Sequence, residues 1–430
     1  MKQLITSAFI LLAFSSCNSD KKNIVDIGFA DSLITHYTEP AAIKENAVEI
    51  EFWRNRIDRD NPGITNESKY ASVLIGRFHL SGDIRDLQIS DSILYKVDEV
   101  YNHKESGPIL SLANHAILQH RFTDADSLLT VAKNTGIRQY ESAATSFDVD
   151  FELGRIMLSE TELNKIASSN DYGYYFRKSK LAHYKGELDT AIAAMNKAIE
   201  LSGNNKYLKQ AAISNTADLY LHNGKPQKAY ELYLQSIALN AADLHSIMGL
   251  GWIALVHDKN DSLAESIFSF VRTKTKSPDP LFKLIETAGA RADSNLQKKY
   301  ALEFELLLSD SRYGNMYNKY LIELYTGILK DPAKAEAIAA KELGNRNTPQ
   351  TNAWYAWAKF SNNKKEEAYK IFQEKVSGKP LEGLELYWMG KLMQGLDKGY
   401  NAQQFFKAAY KNRYDLSPEK VNDLDMVLEE

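Results

Sequence analysis

The stretch SKLAHYKGELDTAIAAMNKA, residues 179–198, contains the pattern on which the whole chain is built. Small side chains stand at Ser179, Ala191 and Ala198, and a glycine separates the first of them from the other two. Met195 lies between the two alanines, and steps of four and three residues place all three side chains on one face of an α-helix. The stretch therefore predicts two helices joined near the glycine, which approach closely because the residues between them are small.

The same offsets return along most of the chain. They recur at Ala113, Ala125, Leu129 and Ala132, at Ala217, Ala229, Tyr233 and Ser236, and at Gly390, Ala402, Phe406 and Ala409. The small residue that opens the second helix, here called the register residue, recurs nine times at intervals of 34, 32, 38, 35, 37, 34, 33 and 34: Ala125, Ser159, Ala191, Ala229, Ala264, Ala301, Ala335, Ala368 and Ala402. This period indicates a repeat array in which each helix pair buries its apolar stripe against the next pair.

The periodic region, from about residue 107 to residue 412, resembles the tetratricopeptide repeat, whose period is about 34 residues. The resemblance implies an all-α fold, a superhelical solenoid of antiparallel helix pairs. We expect nine to ten repeats over residues 66–415, the weakest of them running from Lys69 to about Val97 with Gly82 at its turn. In such proteins the first helix of each pair lines a concave surface, which usually holds a peptide or another protein.

The residues outside the array are expected to close its ends or to connect it. Residues 41–65 should form an N-terminal capping helix, because one helical face carries Ile43, Ala47, Ile50, Trp53 and Ile57. Residues 416–430 should form a C-terminal cap or tail. Residues 17–40 are polar with two short apolar clusters, which we interpret as a tether.

The N-terminus has the form of a secretion signal. Residues 1–16 begin with a positive charge, continue with a short apolar run and end in two serines, and the only cysteine of the 430 residues follows at Cys17. The segment Phe14, Ser15, Ser16 and Cys17 resembles the lipobox of bacterial lipoproteins, with Phe14 where leucine is commoner, as in lipoproteins of Bacteroidetes type. The resemblance implies acylation of Cys17 and a membrane anchor; the alternative is an ordinary signal peptide that happens to contain a cysteine.

Composition excludes several classes of protein. A formal net charge of -4 gives no overall basic surface, so we expect no nucleic acid partner. With a single cysteine, no disulfide can form within the chain. After the N-terminal run, no stretch reaches the roughly 20 apolar residues of a transmembrane helix.

The sequence contains few motifs for catalysis, cofactor binding or metal binding. The segment from Gly249 to Ala254 fits a degenerate dinucleotide fingerprint, but it lies in a predicted first helix, where glycine permits close packing, so we expect no cofactor. The nine histidines include no pair at metal-binding helical spacing, and we interpret most of them as solvent-facing or half-buried. The acidic cluster Asp148, Asp150 and Glu152 is typical of a solvated helix face. The sequence therefore predicts a protein without a metal site that is not an enzyme.

The resemblance also selects candidate partner-binding positions on the concave surface. Those positions are Asn114, Lys180, His183, Asp218, Trp357, Tyr387 and Lys391. They combine both charge signs with aromatic side chains, which are common at interface hot spots. The alternative is that these residues are solvated or pack between repeats.

Together these features predict a lipid-anchored scaffold of the bacterial outer membrane that binds a protein or peptide in its groove. Asp20 is the only acidic residue in the five positions after Cys17, which favours the periplasmic face over the cell surface. Residues 313–320 and 348–358 resemble a subgroup of bacterial tetratricopeptide proteins, some of them encoded near metal-transporter genes, so an envelope transport system is a candidate partner. The alternative function is a surface glycan- or nutrient-capture lipoprotein that works with a transporter.

Overall fold

The protein is described by a computed structural model covering residues 23–58 and 60–429. Within these residues the chain forms 23 α-helices and no β-strand. The first two helices and the last one, α1 (Ile27–Thr35), α2 (Ala41–Arg54) and α23 (Pro418–Glu429), lie outside the repeats. No helix in the described part of the chain combines the length and the apolar run needed to cross a bilayer.

Ten consecutive helix pairs make up the body, and we call the first helix of each pair its A helix and the second its B helix. Repeats 1 to 10 are, in order, α3 (Ile64–Ser81) and α4 (Ile84–Val100); α5 (Ser106–Leu118) and α6 (Phe122–Thr135); α7 (Gln139–Glu152) and α8 (Ile156–Lys165); α9 (Tyr172–Tyr184) and α10 (Leu188–Leu201); α11 (Lys206–His222) and α12 (Pro226–Leu239); α13 (Leu244–Val256) and α14 (Asp261–Lys274); α15 (Asp279–Ala290) and α16 (Ser294–Leu307); α17 (Asn318–Thr326) and α18 (Pro332–Asn345); α19 (Pro349–Ser361) and α20 (Lys365–Ile371); α21 (Gly383–Gln394) and α22 (Gly399–Lys411). A π-helical turn, Phe372–Val376, extends α20.

The register residues are buried where the helices pack together. All nine are at most 3% exposed. A side chain larger than alanine or serine at these positions would hold the two helices apart. The predicted fold is confirmed: the chain is an all-α tetratricopeptide-repeat solenoid of antiparallel helix pairs.

Two glycines of α13 show how tightly the pairs pack. A Cβ atom at Gly249 would overlap the Tyr233 ring, and one at Gly251 would lie 2.7 Å from Cε1 of Phe268. Both glycines are inside a helix, with no strand before them, so the geometry of a dinucleotide-binding turn is absent at this segment. Their role is close packing.

The N-terminal segment differs from the expected tether over residues 17–40. The amides of Ile24 and Val25 each donate to the buried carboxylate of Asp258 at 2.9 Å, and α1 packs against α14. Val25 and Ala30 are 3% and 1% exposed. The prediction was wrong from Ile24 onward, because burial of these apolar residues and the hydrogen bonds to Asp258 hold the segment on the body.

The other end elements lie close to where they were expected. Helix α2 packs on α3, as a cap would, although it ends at Arg54 and so does not include Ile57. Helix α23 follows the last repeat and packs on α22. The signal peptide of residues 1–16 and the lipidation site Cys17 lie outside the described residues.

The solenoid closes on itself instead of remaining an open spiral. The Lys276 amide donates to the Ser81 carbonyl at 2.8 Å, which joins repeat 1 to the segment between repeats 6 and 7. The Asn345 side chain donates to the His120 carbonyl at 2.7 Å and accepts from the Phe122 amide at 2.9 Å. These contacts narrow the space enclosed by the A helices into a set of cavities.

Candidate functional site

Three cavities that share lining residues lie inside the closed solenoid. Their volumes are about 410, 340 and 440 Å³, and Glu382 lines all three. The side chain of Glu382 is 54% exposed, so solvent reaches its carboxylate through the cavities. Its nearest cation is Lys319, whose Nζ lies 3.5 Å from Glu382 and 2.9 Å from Glu385. The interior is therefore polar and wet enough to admit a small hydrophilic ligand.

Carboxylates and cations alternate along this interior. Glu152 accepts from Lys180 at 2.7 Å and from Arg346 at 3.1 Å. Burial would raise the pKa of Glu152, but the charges of Lys180 and Arg346 outweigh it and hold that pKa below its ordinary value. The sequence interpretation of Glu152 as part of a solvated helix face was wrong, because Arg346 reaches it from a distant repeat.

Four of the histidines line the cavities. Burial lowers the pKa of His120 to about 4, and burial together with the charge of His222 lowers that of His183. Burial would also lower the pKa of His222, but its hydrogen bond to Asp415 raises it to about 9. The charge of Asp218 raises the pKa of His245 to about 9. Near neutral pH the interior thus holds two neutral and two protonated imidazoles.

Three of the predicted groove residues lie in these cavities. Lys180 and His183 line the cavity of about 340 Å³, and Asp218 lines the one of about 410 Å³. All three already have partners: Glu152 for Lys180, the His222 ring at 4.8 Å for His183, and both Tyr233 and His245 for Asp218.

The remaining predicted residues are elsewhere. Asn114 is exposed on α5 and lines none of the cavities described above. Trp357 packs between repeats, with its ring stacked on Trp388 at 5.9 Å and its Nε1 donating to Thr326 at 3.0 Å. Tyr387 and Lys391 on α21 face the C-terminal helix α23, not solvent.

A larger groove, of about 860 Å³, lies at one mouth of the solenoid and was not expected from the sequence. Its walls are α11, the connections that follow α12 and α14, the end of α3 and residues 313–317. Residues 37–43, which run from the end of α1 into the first turn of α2, complete them. Tyr207 and Leu239 line it with exposed apolar side chains, 48% and 39% accessible. The groove depends on the docked N-terminal segment, so the repeat pattern alone could not have indicated it.

Two of the residues that line this groove are lysines whose ammonium groups face aromatic rings. Lys206 and Lys274 form no ion pair within the described part of the chain; their ammonium groups lie over the Tyr207 and Tyr37 rings, at 5.1 and 5.2 Å. Carboxylates of a bound ligand would pair with these two ammonium groups. The groove thus offers apolar anchors beside two lysines, although the carboxylates of Glu39, Asp243 and Asp279 line it as well.

No group of three or more histidine, cysteine, aspartate or glutamate side chains that could hold a metal ion occurs in residues 23–58 and 60–429. Of the interior histidines, His222 and His245 pair with carboxylates, His183 packs against His222, and the His120 ring stacks on Phe122.

No family model matches the chain. No curated protein matches it either. Several solved structures are similar in fold. The Pseudomonas aeruginosa PilF structure has a TM-score of 0.36 at 16% identity, over 50% of this chain and 97% of that one. A tetratricopeptide repeat protein from Parabacteroides merdae has a TM-score of 0.34 at 15% identity, over 68% and 99%.

The hetero-tetramer of Cut9 and Hcn1 from the APC/C gives a TM-score of 0.47 at 11% identity, over 93% of this chain and 69% of that one. Identities this low tell nothing about ligands. The assignment of the fold accordingly rests on the helix pairs and register residues of this chain itself.

Proposed function

We propose that the chain is a membrane-anchored protein–protein interaction scaffold of the bacterial cell envelope, and that its principal binding site is the groove of about 860 Å³. The observation that carries the proposal is that one concave surface contains both exposed apolar side chains and two lysines that form no ion pair within the described part of the chain. Tyr207 and Leu239 would anchor apolar side chains of the partner, and Lys206 and Lys274 would attract its carboxylates. The partner segment is thus expected to carry apolar side chains and, beside them, carboxylates placed to pair with these two lysines.

The anchor in this proposal is acylated Cys17, inserted in the outer membrane and facing the periplasm. Only six residues, 18–23, separate Cys17 from Ile24, which is docked at Asp258. Seven extended steps span at most about 25 Å. An anchored scaffold would therefore sit close to the membrane surface, where it could reach the periplasmic part of an envelope transport system.

Site-specific photo-crosslinking in native membranes tests the groove. A crosslinker at Tyr207 should yield a defined protein adduct, whereas one at Tyr95, a tyrosine of similar exposure (45%) outside the groove, should not. The adduct should disappear when Leu239→Glu places a negative charge in the groove. Identical adducts from both positions, or an adduct that Leu239→Glu leaves unchanged, would refute this binding site.

The anchor has its own test. Growth with an alkyne-labelled palmitate should label the wild-type chain, and Cys17→Ser should abolish the label and release the protein from the membrane fraction. Labelling that survives in Cys17→Ser would contradict lipidation at this residue without bearing on the groove.

A second candidate function is glycan or nutrient capture, favoured by the interior cavities. Their volumes of about 340 and 410 Å³ fall in the range of small-molecule sites, and they combine aromatic with charged side chains, among them Trp252 and His245. Calorimetric titration with soluble oligosaccharides should give a heat of binding that His245→Gln reduces. Absence of heat with a broad oligosaccharide set would remove this candidate.

A further inference from the structure

The last helix, α23, reaches further than closure of the array requires. A cap needs to cover only the exposed face of the final pair, α21 and α22. Helix α23 does contact α22, but it also packs against α15, and its residues bond to α17 and α21. It therefore lies across the A helices of repeats 7, 8 and 10, on the surface where tetratricopeptide folds expose their concave face.

Charge pairs fix α23 in this position. Asp423 accepts from the Tyr387 hydroxyl at 2.9 Å and from Lys391 Nζ at 3.0 Å. One turn earlier, Lys420 donates to Glu323 on α17 at 2.5 Å. Tyr387 and Lys391 are two of the positions that the repeat pattern assigns to partner binding, and here a residue of the same chain occupies them.

The apolar attachment of α23 is small. Leu424 and Val427 are its only buried apolar side chains, at 0% and 9% exposure, and both join the core of the last repeats. The opposite side of the helix is exposed and carries Glu419, Asn422, Met426 and Glu429. Val421 and Leu428 add partly buried contacts on the same face as Leu424 and Val427, and Gln403 donates to the Val427 carbonyl at 2.8 Å. A helix of 12 residues attached along one face is easier to displace than a repeat helix, which packs on several faces.

We propose that the surface beneath α23 is a second partner site, specific for an acidic amphipathic helix, and that α23 occupies it as an internal ligand. The partner helix would carry a carboxylate for Tyr387 and Lys391, an apolar residue directly after it and a second apolar residue three positions later. This is the arrangement of Asp423, Leu424 and Val427. The proposal rests on the proposed scaffold function but concerns a surface distinct from the groove at Tyr207.

The test uses the full chain and a labelled peptide of residues 417–429 as the probe. In the wild type, the tethered α23 competes at an effective concentration in the millimolar range. The double substitution Leu424→Ala and Val427→Ala loosens the chain's own helix, so fluorescence anisotropy should show peptide binding at least about tenfold tighter than to the wild type. Met426→Ala, on the exposed side of α23, should bind the peptide as the wild type does.

Charge reversal establishes specificity. A peptide with Asp423→Lys should not bind the loosened chain, and adding Lys391→Glu to that chain should restore its binding. Equal binding of both peptides, or no binding to a loosened chain whose circular dichroism and melting remain those of a folded solenoid, would overturn the proposal.

Hydrogen exchange on the wild-type chain keeps the proposal testable if the loosened variant does not fold. The α23 amides should exchange before those of α21 and α22, and excess wild-type peptide should speed their exchange while the Asp423→Lys peptide does not. Exchange of α23 together with α21 and α22 as one unit would refute displacement. Crosslinking at Tyr207 does not involve α23, so failure of this proposal and failure of the groove proposal are separate outcomes.

Discussion

The indole Nε1 of Trp252 donates to the backbone carbonyl of Tyr414 at 2.7 Å, across 162 positions of the chain. Trp252 lies on α13 in repeat 6, and Tyr414 lies in the 3-10 turn Arg413–Asp415 that follows repeat 10. Both side chains are buried, at 8% and 9% exposure. This bond ties the last repeat to the middle of the array and completes the closure that turns a spiral into an enclosed space.

Trp252→Phe should weaken that closure. The phenyl ring keeps most of the apolar burial but cannot donate, so the Tyr414 carbonyl loses its indole partner and we expect a loss of about 2 kcal/mol in unfolding free energy. Trp357→Phe is the matched control, because its indole donates to Thr326 only 31 positions away. Hydrogen exchange should rise at residues 413–417 in Trp252→Phe alone; equal protection there in both variants would contradict the assigned role.

Asn345→Ala should weaken the contact between repeats 2 and 8. It removes the partner of the Phe122 amide and one of the two donors to the His120 carbonyl, which keeps Asn315, and we expect a loss of about 2 kcal/mol in urea unfolding. Asn260→Ala serves as the control, since it removes only a local helix cap on Leu263 and should cost about 1 kcal/mol. A smaller loss for Asn345→Ala than for Asn260→Ala would show that the bonds between repeats 2 and 8 add no stability.

The pair of His222 and Asp415 should make stability depend on pH. The hydrogen bond to Asp415 raises the folded-state pKa of His222 from 6.5 to about 9, against the opposing effect of burial. The stabilisation is therefore complete below about pH 6.5 and is lost as the pH rises through 9. With allowance for partial exposure, we expect it to be about 1–2 kcal/mol. The difference in unfolding free energy between wild type and His222→Gln should shrink from pH 6 to pH 10; a constant difference would rule out this linkage.

The two helical glycines Gly249 and Gly344 should respond to alanine in opposite directions. At Gly249 the new methyl group meets the Tyr233 ring, so we expect a loss of about 1–3 kcal/mol. At Gly344 on α18 nothing lies within 4 Å, and alanine should raise stability by about 0.5–1 kcal/mol through its helix propensity. Thermal melts of the two variants give the comparison, and a stabilised Gly249→Ala would disprove close packing at this site.

The short-range part of the architecture could be predicted from the residues alone. Ala125 and its eight equivalents must be small for one helix to pack on the next, and this local requirement repeats often enough to be detected. The closure could not be predicted in this way. It depends on single polar side chains such as Asn345 and Asp258, whose partners lie more than 200 positions away and which have no periodic signature.

The same distinction, between contacts that repeat along the chain and single contacts between distant residues, applies to the candidate sites. Lys180, His183 and Asp218 were selected by their place on the A helices, and the structure brings them to the interior cavities. Tyr387 and Lys391 were selected by the same criterion, but a helix outside the repeats covers them. Tyr207 was not selected, because the groove it lines has the N-terminal segment as one of its walls.

The closure of the solenoid by long-range contacts also affects how the protein folds. An ordinary repeat array folds as a one-dimensional chain, in which any neighbouring units can nucleate and the rest add by local contacts. Here Tyr414 must find Trp252 and Asn345 must find His120, 225 positions away, before the native topology is complete. Such distant pairings raise the contact order, so the final step should be slow, and the ten repeats of the finished molecule should unfold in one cooperative transition and not one repeat at a time.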